Sequence, residues 1–161
     1  ITQLLGQMET QFVSQFGLMQ QYFSETFQRL FGGGNGEISL SNPNDPLNCG
    51  IEMIVQPPGK KRQLLSLFSG GERALTAIAI LFAMLKLKPT PFCILDEIEA
   101  ALDDANISYF ADYLKEFSKD TQFIVVTHRK GTMERCDTLF GVAMEERGIS
   151  SMVSVNLKDY Q

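Results

Sequence analysis

The amino-acid sequence predicts an α/β fold in which a mainly parallel sheet is flanked by helices, and two observations predict it. Two short apolar segments, 92–95 and 122–127, lie on either side of a helical pattern over residues 103–117. A strand-helix-strand order with unbroken apolar strands is typical of a parallel sheet covered on both faces. Polar residues follow each strand, at the carboxyl edge where open α/β sheets bind ligands. We therefore expect a ligand site at residues 96–97 and 128.

Residues 1–31 are predicted to form one long helix. Its apolar side chains recur every three or four positions, with Gln, Ser and Glu between them, and the glycine-rich segment 32–36 ends it. Two interpretations remain open. The even spread of Phe and Met favours a helix that packs on a domain, whereas the early Leu and Met spacing favours a strap leading out of a coiled coil. The apolar positions are Leu5, Met8, Phe12, Phe16, Met19, Phe23, Phe27 and Leu30.

The middle of the chain predicts two strands and a second helix. Residues 37–41 and 50–55 alternate apolar and polar side chains, as in antiparallel strands, and an Asn-, Pro- and Asp-rich turn over 42–48 joins them. Residues 69–85 are apolar on nearly every helical face. This pattern is typical of a helix buried between layers.

Length, charge and cysteine content limit the classes of protein to which this chain can belong. The 161 residues fit one domain, and a hydrophobic content of 44% is enough to fill its core. Lys86 and Lys88 interrupt the longest apolar run, so no segment approaches the roughly 20 apolar residues of a membrane span. The net charge of −5 argues against nucleic-acid binding by bulk attraction. Three widely spaced cysteines fit a reducing cytoplasm, and the missing initial methionine indicates a piece of a longer chain.

The start of the 69–85 helix carries an anion-binding pattern. Ser69 and Glu72 fit a capping box, in which each side chain bonds the other residue's amide. Gly70 and Gly71 remove side chains from the first turn, so free amide groups and the helix dipole can meet an anion. The competing interpretation is a well-capped core helix.

Two carboxylates and a histidine carry the predicted chemistry. Asp96 and Glu97 point in different directions at a strand end, so one can hold Mg²⁺ through water while the other deprotonates an attacking water. His128 ends the neighbouring strand, so it and Glu97 are expected to face one cleft, where an imidazole can hydrogen-bond a γ-phosphate. The competing interpretations are a solvated acidic pair and a structural histidine. A GxxxxGK[ST] phosphate loop does not occur in the sequence.

Taken together, these motifs resemble the second half of an ABC-type ATPase head. The matching elements are its signature motif, Walker B motif, D-loop and switch histidine: Phe68-Ser69-Gly70-Gly71-Glu72, Asp96-Glu97, Ala101-Leu102-Asp103 and His128. Segments 31–34, 56–61 and 127–133 resemble, more narrowly, the C-terminal head half of a bacterial SMC (structural maintenance of chromosomes) protein. The resemblance implies that residues 1–31 leave a coiled-coil neck and that 32–161 form the C-terminal lobe of the head. A coiled-coil DNA-repair ATPase and a non-catalytic scaffold are the alternatives.

The resemblance also implies a split enzyme. The Walker A loop would lie in an N-terminal segment of the same protein, so the isolated chain is expected not to hydrolyse ATP. Asp96 would position Mg²⁺, Glu97 would be the general base and His128 would sense the γ-phosphate. The signature residues would contact ATP held by a second head, with the D-loop across that interface. The implied role is ATP-driven chromosome condensation and segregation at the nucleoid, in the cytoplasm.

Two further surfaces are expected to bind partners. Lys60-Lys61-Arg62, the only run of three basic residues, fits either a DNA contact or a solvated loop. Residues 138–144 and 151–157, joined by a turn over 145–148, predict a closing hairpin with more apolar surface than one sheet face can bury. By resemblance, the winged-helix domain of a kleisin subunit docks there; the alternative is an internal hairpin. The contact residues would be Leu139, Phe140, Val142, Met152, Val153 and Val155.

Overall fold

The computed structural model describes residues 2–157 and contains all the predicted elements. The helices are α1 (Thr2–Leu30), α2 (Gly70–Leu87), α3 (Asp104–Phe117) and α4 (Lys130–Met133). The strands are β1 (Asn35–Leu40), β2 (Ile51–Gln56), β3 (Gln63–Leu64), β4 (Phe92–Asp96), β5 (Gln122–Val126), β6 (Thr138–Glu146) and β7 (Ile149–Asn156). A 3-10 turn, Leu65–Leu67, leads into α2. The short elements β3 and α4 were not predicted.

The strands pair in three groups. β1, β2 and β3 form an antiparallel sheet, and β6 and β7 form an antiparallel hairpin. β4 and β5 are parallel, with Phe92 opposite Gln122 and Asp96 opposite Val126. The predicted antiparallel pair, parallel pair and hairpin are therefore confirmed. Within residues 2–157, no helix is both long and apolar enough to cross a membrane.

An aromatic cluster joins α2, α3 and β5 in the core. Phe82 of α2 is fully buried, and its ring lies between 5.1 and 6.3 Å, centroid to centroid, from four other rings. Such pairs contribute about 0.5–1.5 kcal/mol each beyond the burial of their area. The cluster fixes both helices against one face of the β4–β5 pair. Its other members are Phe110, Tyr113, Phe117 and Phe123.

Helix α1 divides into an exposed half and a buried half. Phe23, Phe27 and Leu30 are fully buried, whereas Leu4 and Met8 are at least half exposed. Apolar side chains join the core only from Phe12 onward. Each of the two interpretations of the 1–31 pattern therefore describes one part of this helix: the C-terminal half packs on the domain, and the N-terminal half does not pack on the rest of the described chain.

The β4–β5 pair is covered on one face only, so the expectation of a sheet covered on both faces is wrong for residues 2–157. Leu95 and Phe123 point toward the core, but Ile94 is 60% exposed and Val126 is 50% exposed on the opposite face. The side chains of Phe92 and Ile124 are also exposed on this face. An unbroken apolar strand shows that both faces need cover, but it does not show which segment supplies the cover. This surface is called the open face below.

Replacing Gly34 with Ala should destabilise the chain more than replacing Gly59 with Ala. Both glycines have positive φ, +81° and +74°, which costs other residues about 1–2 kcal/mol. A Cβ at Gly34 would lie 2.3 Å from the carbonyl oxygen of Gln56, whereas one at Gly59 would meet nothing within 4 Å. In urea denaturation, Gly34→Ala should therefore lower the free energy of unfolding by at least about 1 kcal/mol more. Equal losses would contradict this close approach of the two backbones.

Candidate functional site

The carboxyl ends of β4 and β5 bring Glu97 and His128 together. The Glu97 amide donates to the carbonyl oxygen of Val126 at 2.9 Å, which extends the parallel pairing by one residue. His128 Nδ1 then lies 3.1 Å from Glu97 Oε1, and both side chains are exposed. The structure thus brings these two side chains together, as the sequence predicted.

The backbone of Glu97 is strained. Its φ is +47°, the only positive φ at a non-glycine residue within residues 2–157. A left-handed conformation at such a residue costs about 1–3 kcal/mol, and such strain clusters at functional sites. The conformation turns the chain sharply after the strand, and the Glu97 carboxylate meets His128 there. This strain is evidence for a functional role over the solvated acidic pair.

Asp96 lies on the open face of the sheet. Strand alternation places it on the same side as Phe92 and Ile94, and within residues 2–157 its exposed carboxylate makes no hydrogen bond or ion pair. No group of three or more His, Cys, Asp or Glu side chains in this part of the chain is placed to hold a metal. Mg²⁺ keeps several waters and needs only one or two carboxylates beside substrate phosphates. A free carboxylate at this strand end fits that requirement.

The capping box at the start of α2 is confirmed. Ser69 Oγ accepts the Glu72 amide at 3.4 Å, and Glu72 Oε2 accepts both the Ser69 amide at 3.3 Å and its hydroxyl at 2.8 Å. Phe68 is buried in the core and anchors this segment, whereas Ser69 and Gly70 are exposed. The first turn of α2 therefore presents backbone with little side chain to an incoming group.

The predicted basic run is largely paired within the chain. Lys60 Nζ lies 2.8 Å from Glu72 Oε1, and Arg62 forms an ion pair with Glu37. Burial would raise the pKa of the Glu72 carboxyl, but hydrogen bonds from Lys60 and Ser69 outweigh burial and hold this pKa below its usual range. Lys61 is exposed and forms no ion pair with any residue from 2 to 157. Only one cation of the run is therefore left without a partner in the described chain.

The loop over residues 101–103, which the sequence analysis predicted to be a D-loop, lies against the start of α2. A Cβ built on Gly71 would lie 3.0 Å from the carbonyl oxygen of Ala101, so a larger residue at Gly71 would push this loop. Leu102 is buried and anchors the loop. Asp103 caps α3, since its Oδ1 accepts the Asn106 amide at 2.9 Å. The predicted signature residues 69–71 and the 101–103 loop thus form one contiguous surface.

Sequence reasoning missed four residues that border this site. Glu99, for which the sequence analysis made no prediction, is buried, and it contacts Thr127 and Thr132. Arg129 donates to the carbonyl oxygens of Ala100 and Leu102, beside and within the 101–103 loop. The sequence contains one indication that Glu99 is buried: its neighbours are apolar, with Ile98 before it and Ala100-Ala101-Leu102 after it.

The β6–β7 hairpin is exposed, which contradicts the alternative of an internal hairpin within residues 2–157. One face carries Phe140, Val142 and Met152, and Val142 is 74% exposed. The other face carries Leu139, Val153 and Val155, of which only Leu139 is partly buried. Apolar surface of this kind marks interaction sites.

Comparison with known proteins identifies relatives over almost the whole chain. A family model described as "RecF/RecN/SMC N terminal domain" matches residues 7–151. The Chromosome partition protein Smc of Bacillus subtilis (strain 168) is 56% identical over 159 residues, covering 99% of this chain and 13% of that protein. The protein of the same name from Desulfitobacterium hafniense (strain Y51) is 55% identical, covering 98% of this chain and 13% of that protein. This chain thus spans only 13% of the length of these curated relatives.

Solved structures have the same fold. An Smc head domain with an extended coiled coil, bound to the C-terminal domain of ScpA and derived from Pyrococcus furiosus, has a TM-score of 0.89 at 42% identity. The match covers 99% of this chain and 40% of that one. A chain solved in work on "ATP-driven dimerization and DNA stimulated activation of SMC ATPases" has a TM-score of 0.86 at 41% identity, covering 94% of this chain and 92% of that one.

Proposed function

The chain belongs to the RecF/RecN/SMC family, and we propose that it is the C-terminal part of an SMC ATPase head that acts in chromosome condensation and segregation. The observation that carries the proposal is the 3.1 Å contact between Glu97 and His128 at the ends of two parallel strands. A base and a phosphate-sensing imidazole at that edge suit nucleotide hydrolysis.

An N-terminal segment of the same protein would complete the head. The sequence has no phosphate loop, and the open face leaves Ile94 and Val126 in solvent. A strand or helix bearing the Walker A loop would cover this face and bring the α- and β-phosphates toward Asp96. On this basis the isolated chain does not hydrolyse ATP, and it gains activity only with that segment.

The chemistry would rest on three residues. Glu97 accepts a proton from a water as that water attacks the γ-phosphorus of ATP, and the bond to the ADP oxygen breaks. His128 hydrogen-bonds a γ-phosphate oxygen and, through its contact with Glu97, orients the carboxylate toward the water. Asp96 would hold Mg²⁺ through water, and the bound ion neutralises charge on the phosphates.

A second head would bind against the start of α2. Ser69 and Gly70 are exposed, and the backbone amides of this first turn can donate hydrogen bonds to the γ-phosphate held by the partner head. Ala101 and Asp103 are exposed beside them and would lie in the same interface. ATP would therefore join two copies of the head, and hydrolysis would release them.

The exposed half of α1 would continue into the coiled-coil neck. Leu4, Leu5 and Met8 lie on its surface with no cover from the described chain. Residues 1–31 would thus leave the neck, and residues 32–161 would form the C-terminal lobe.

A kleisin subunit would dock on the β6–β7 hairpin. The exposed apolar side chains on its two faces supply the surface, since the buried centre of a protein interface is mostly apolar. Two solved Smc heads similar to this chain are bound to the C-terminal region of ScpA.

DNA would contact the 60–62 loop through Lys61. Pairing of Lys60 and Arg62 with acidic residues lowers the net charge of this loop, so the contact would be a single phosphate contact and not a patch. Such a contact would place the protein at the nucleoid, in the cytoplasm.

Two substitutions in the full-length protein should separate hydrolysis from head pairing. Glu97→Gln removes the base but keeps a side chain of equal size, so ATP turnover should fall about 10²–10⁴-fold while ATP-dependent pairing persists.

Ser69→Arg puts a bulky cation at the start of α2, so each head should still bind ATP, but two heads should no longer pair. Turnover assays and sedimentation with ATP measure both. Normal turnover in Glu97→Gln, or a stable dimer of Ser69→Arg, would contradict the assigned roles.

Charged substitutions should map the kleisin contact. Val142→Glu with Met152→Glu alters one face of the hairpin, and Val153→Glu with Val155→Glu alters the other. We expect at least one pair to abolish co-purification of kleisin with the full-length protein while ATP-driven pairing survives. Ser150→Glu, at an exposed position outside these apolar clusters, is the matched control. Retention of kleisin by both double variants would exclude the hairpin as the main contact.

Loss of Lys61 should alter the salt dependence of DNA binding. Removing one phosphate contact reduces the steepness with which the logarithm of the DNA-binding constant falls against the logarithm of salt concentration by about 1. Lys61→Gln should show this change in the full-length protein, and Lys119→Gln, an exposed cation on the end of α3, should not. An unchanged slope in Lys61→Gln would show that the loop is merely solvated.

A further inference from the structure

A buried carboxylate lies two residues after Glu97. Glu99 is 1% exposed, and its Oε1 accepts hydrogen bonds from Thr127 Oγ1 at 2.5 Å and Thr132 Oγ1 at 3.2 Å. Glu99 forms no ion pair with any residue from 2 to 157, and its Oε2 has no partner there. Burying a carboxylate without a cation is costly, so stability alone does not explain its presence.

The partners of Glu99 hold the segment that contains His128. Thr127 Oγ1 accepts the Arg129 amide at 3.0 Å, so one hydroxyl bridges the residues on either side of His128. Because that oxygen accepts from Arg129, its own proton is directed to Glu99. The chain of bonds runs from the Arg129 amide through Thr127 to the Glu99 carboxylate, and Thr132 in α4 fixes the same carboxylate from a second side.

Arg129 extends the network to the D-loop. Its Nη2 donates to the carbonyl oxygens of Ala100 at 2.9 Å and Leu102 at 3.0 Å. The loop between these carbonyls touches Gly71 at the start of α2. The residue after His128 is thus tied to the surface that would face a second head.

We propose that Glu99 is a positioning residue which, through Thr127, Thr132 and Arg129, holds His128 against Glu97 and links that pair to the D-loop. The inference deepens the proposed ATPase function and rests on it. Because Glu99 is buried, it would act through these partners and not by contact with the substrate. Through Thr127, its carboxylate fixes the backbone on both sides of His128. A small displacement of a reacting group lowers the rate far more than it lowers binding, so loss of this support should appear mainly in kcat.

Matched threonine variants of the full-length protein test the network. Thr127→Val and Thr132→Val remove a hydroxyl with little change in shape, whereas Thr127→Ser and Thr132→Ser keep it. For the valine variants we expect kcat for ATP to fall about 10- to 100-fold. KM should stay within about twofold, and ATP-dependent head pairing should be retained, because every side chain proposed to contact ATP is still present. The serine variants should retain most of the activity.

Variants of Glu99 test the acceptor itself. Glu99→Gln keeps Oε1 for the two hydroxyls and should retain most of the turnover, whereas Glu99→Leu removes the acceptor and should lower kcat as the valine variants do. Thermal unfolding of each variant checks that the head remains folded. If Glu99→Leu does not fold, the threonine series alone decides.

A double-mutant cycle separates positioning from general support of the fold. If the network acts through His128, Thr127→Val should change kcat less than about twofold once His128→Ala has removed the imidazole. The same loss in both backgrounds would overturn the proposal. It would also fail if Thr127→Val and Glu99→Leu kept full kcat while Glu97→Gln abolished turnover. Normal turnover in Glu97→Gln would instead overturn the proposed function itself.

Discussion

The parallel register of β4 and β5 is the constraint on which the site depends. Asp96 pairs with Val126, and the Glu97 amide continues the ladder to the carbonyl oxygen of Val126, so the two strands end together. Glu97 and His128 are 31 positions apart in the sequence and meet only because both strands end at one edge. The left-handed conformation of Glu97, the capping of α3 by Asp103 and the tether from Arg129 all follow from the turns that leave this edge.

The open face supports the proposal that this chain is one part of a larger folding unit. A soluble domain seldom leaves residues such as Phe92, Ile94 and Ile124 in solvent beside a functional carboxylate. Covering them would stabilise the sheet by roughly 25 cal/mol per Å² of apolar surface removed from water and would also bring the missing phosphate contacts to the strand ends. Under this proposal, folding of the complete sheet and assembly of the active site would be the same event.

The sequence predicted the elements and the principal site residues because local chemistry determines them. Alternating and helical patterns located every long element, and the Ser69–Glu72 capping box needs only a four-residue pattern. The βαβ order was enough to bring Glu97 to His128. Long-range contacts could not be predicted in this way. The pairing of Lys60 with Glu72 depends on how a loop folds back onto α2, and the burial of Glu99 depends on Thr132 from a helix too short to predict.

The central claim is that the active head is divided between this chain and an N-terminal segment. The most direct test measures ATP turnover of this chain alone, of the N-terminal segment alone and of the two co-expressed. The account predicts turnover only in the co-expressed sample, because Glu97 and His128 lie on one part and the phosphate loop on the other. Turnover by this chain alone, at the rate of the co-expressed sample, would contradict it.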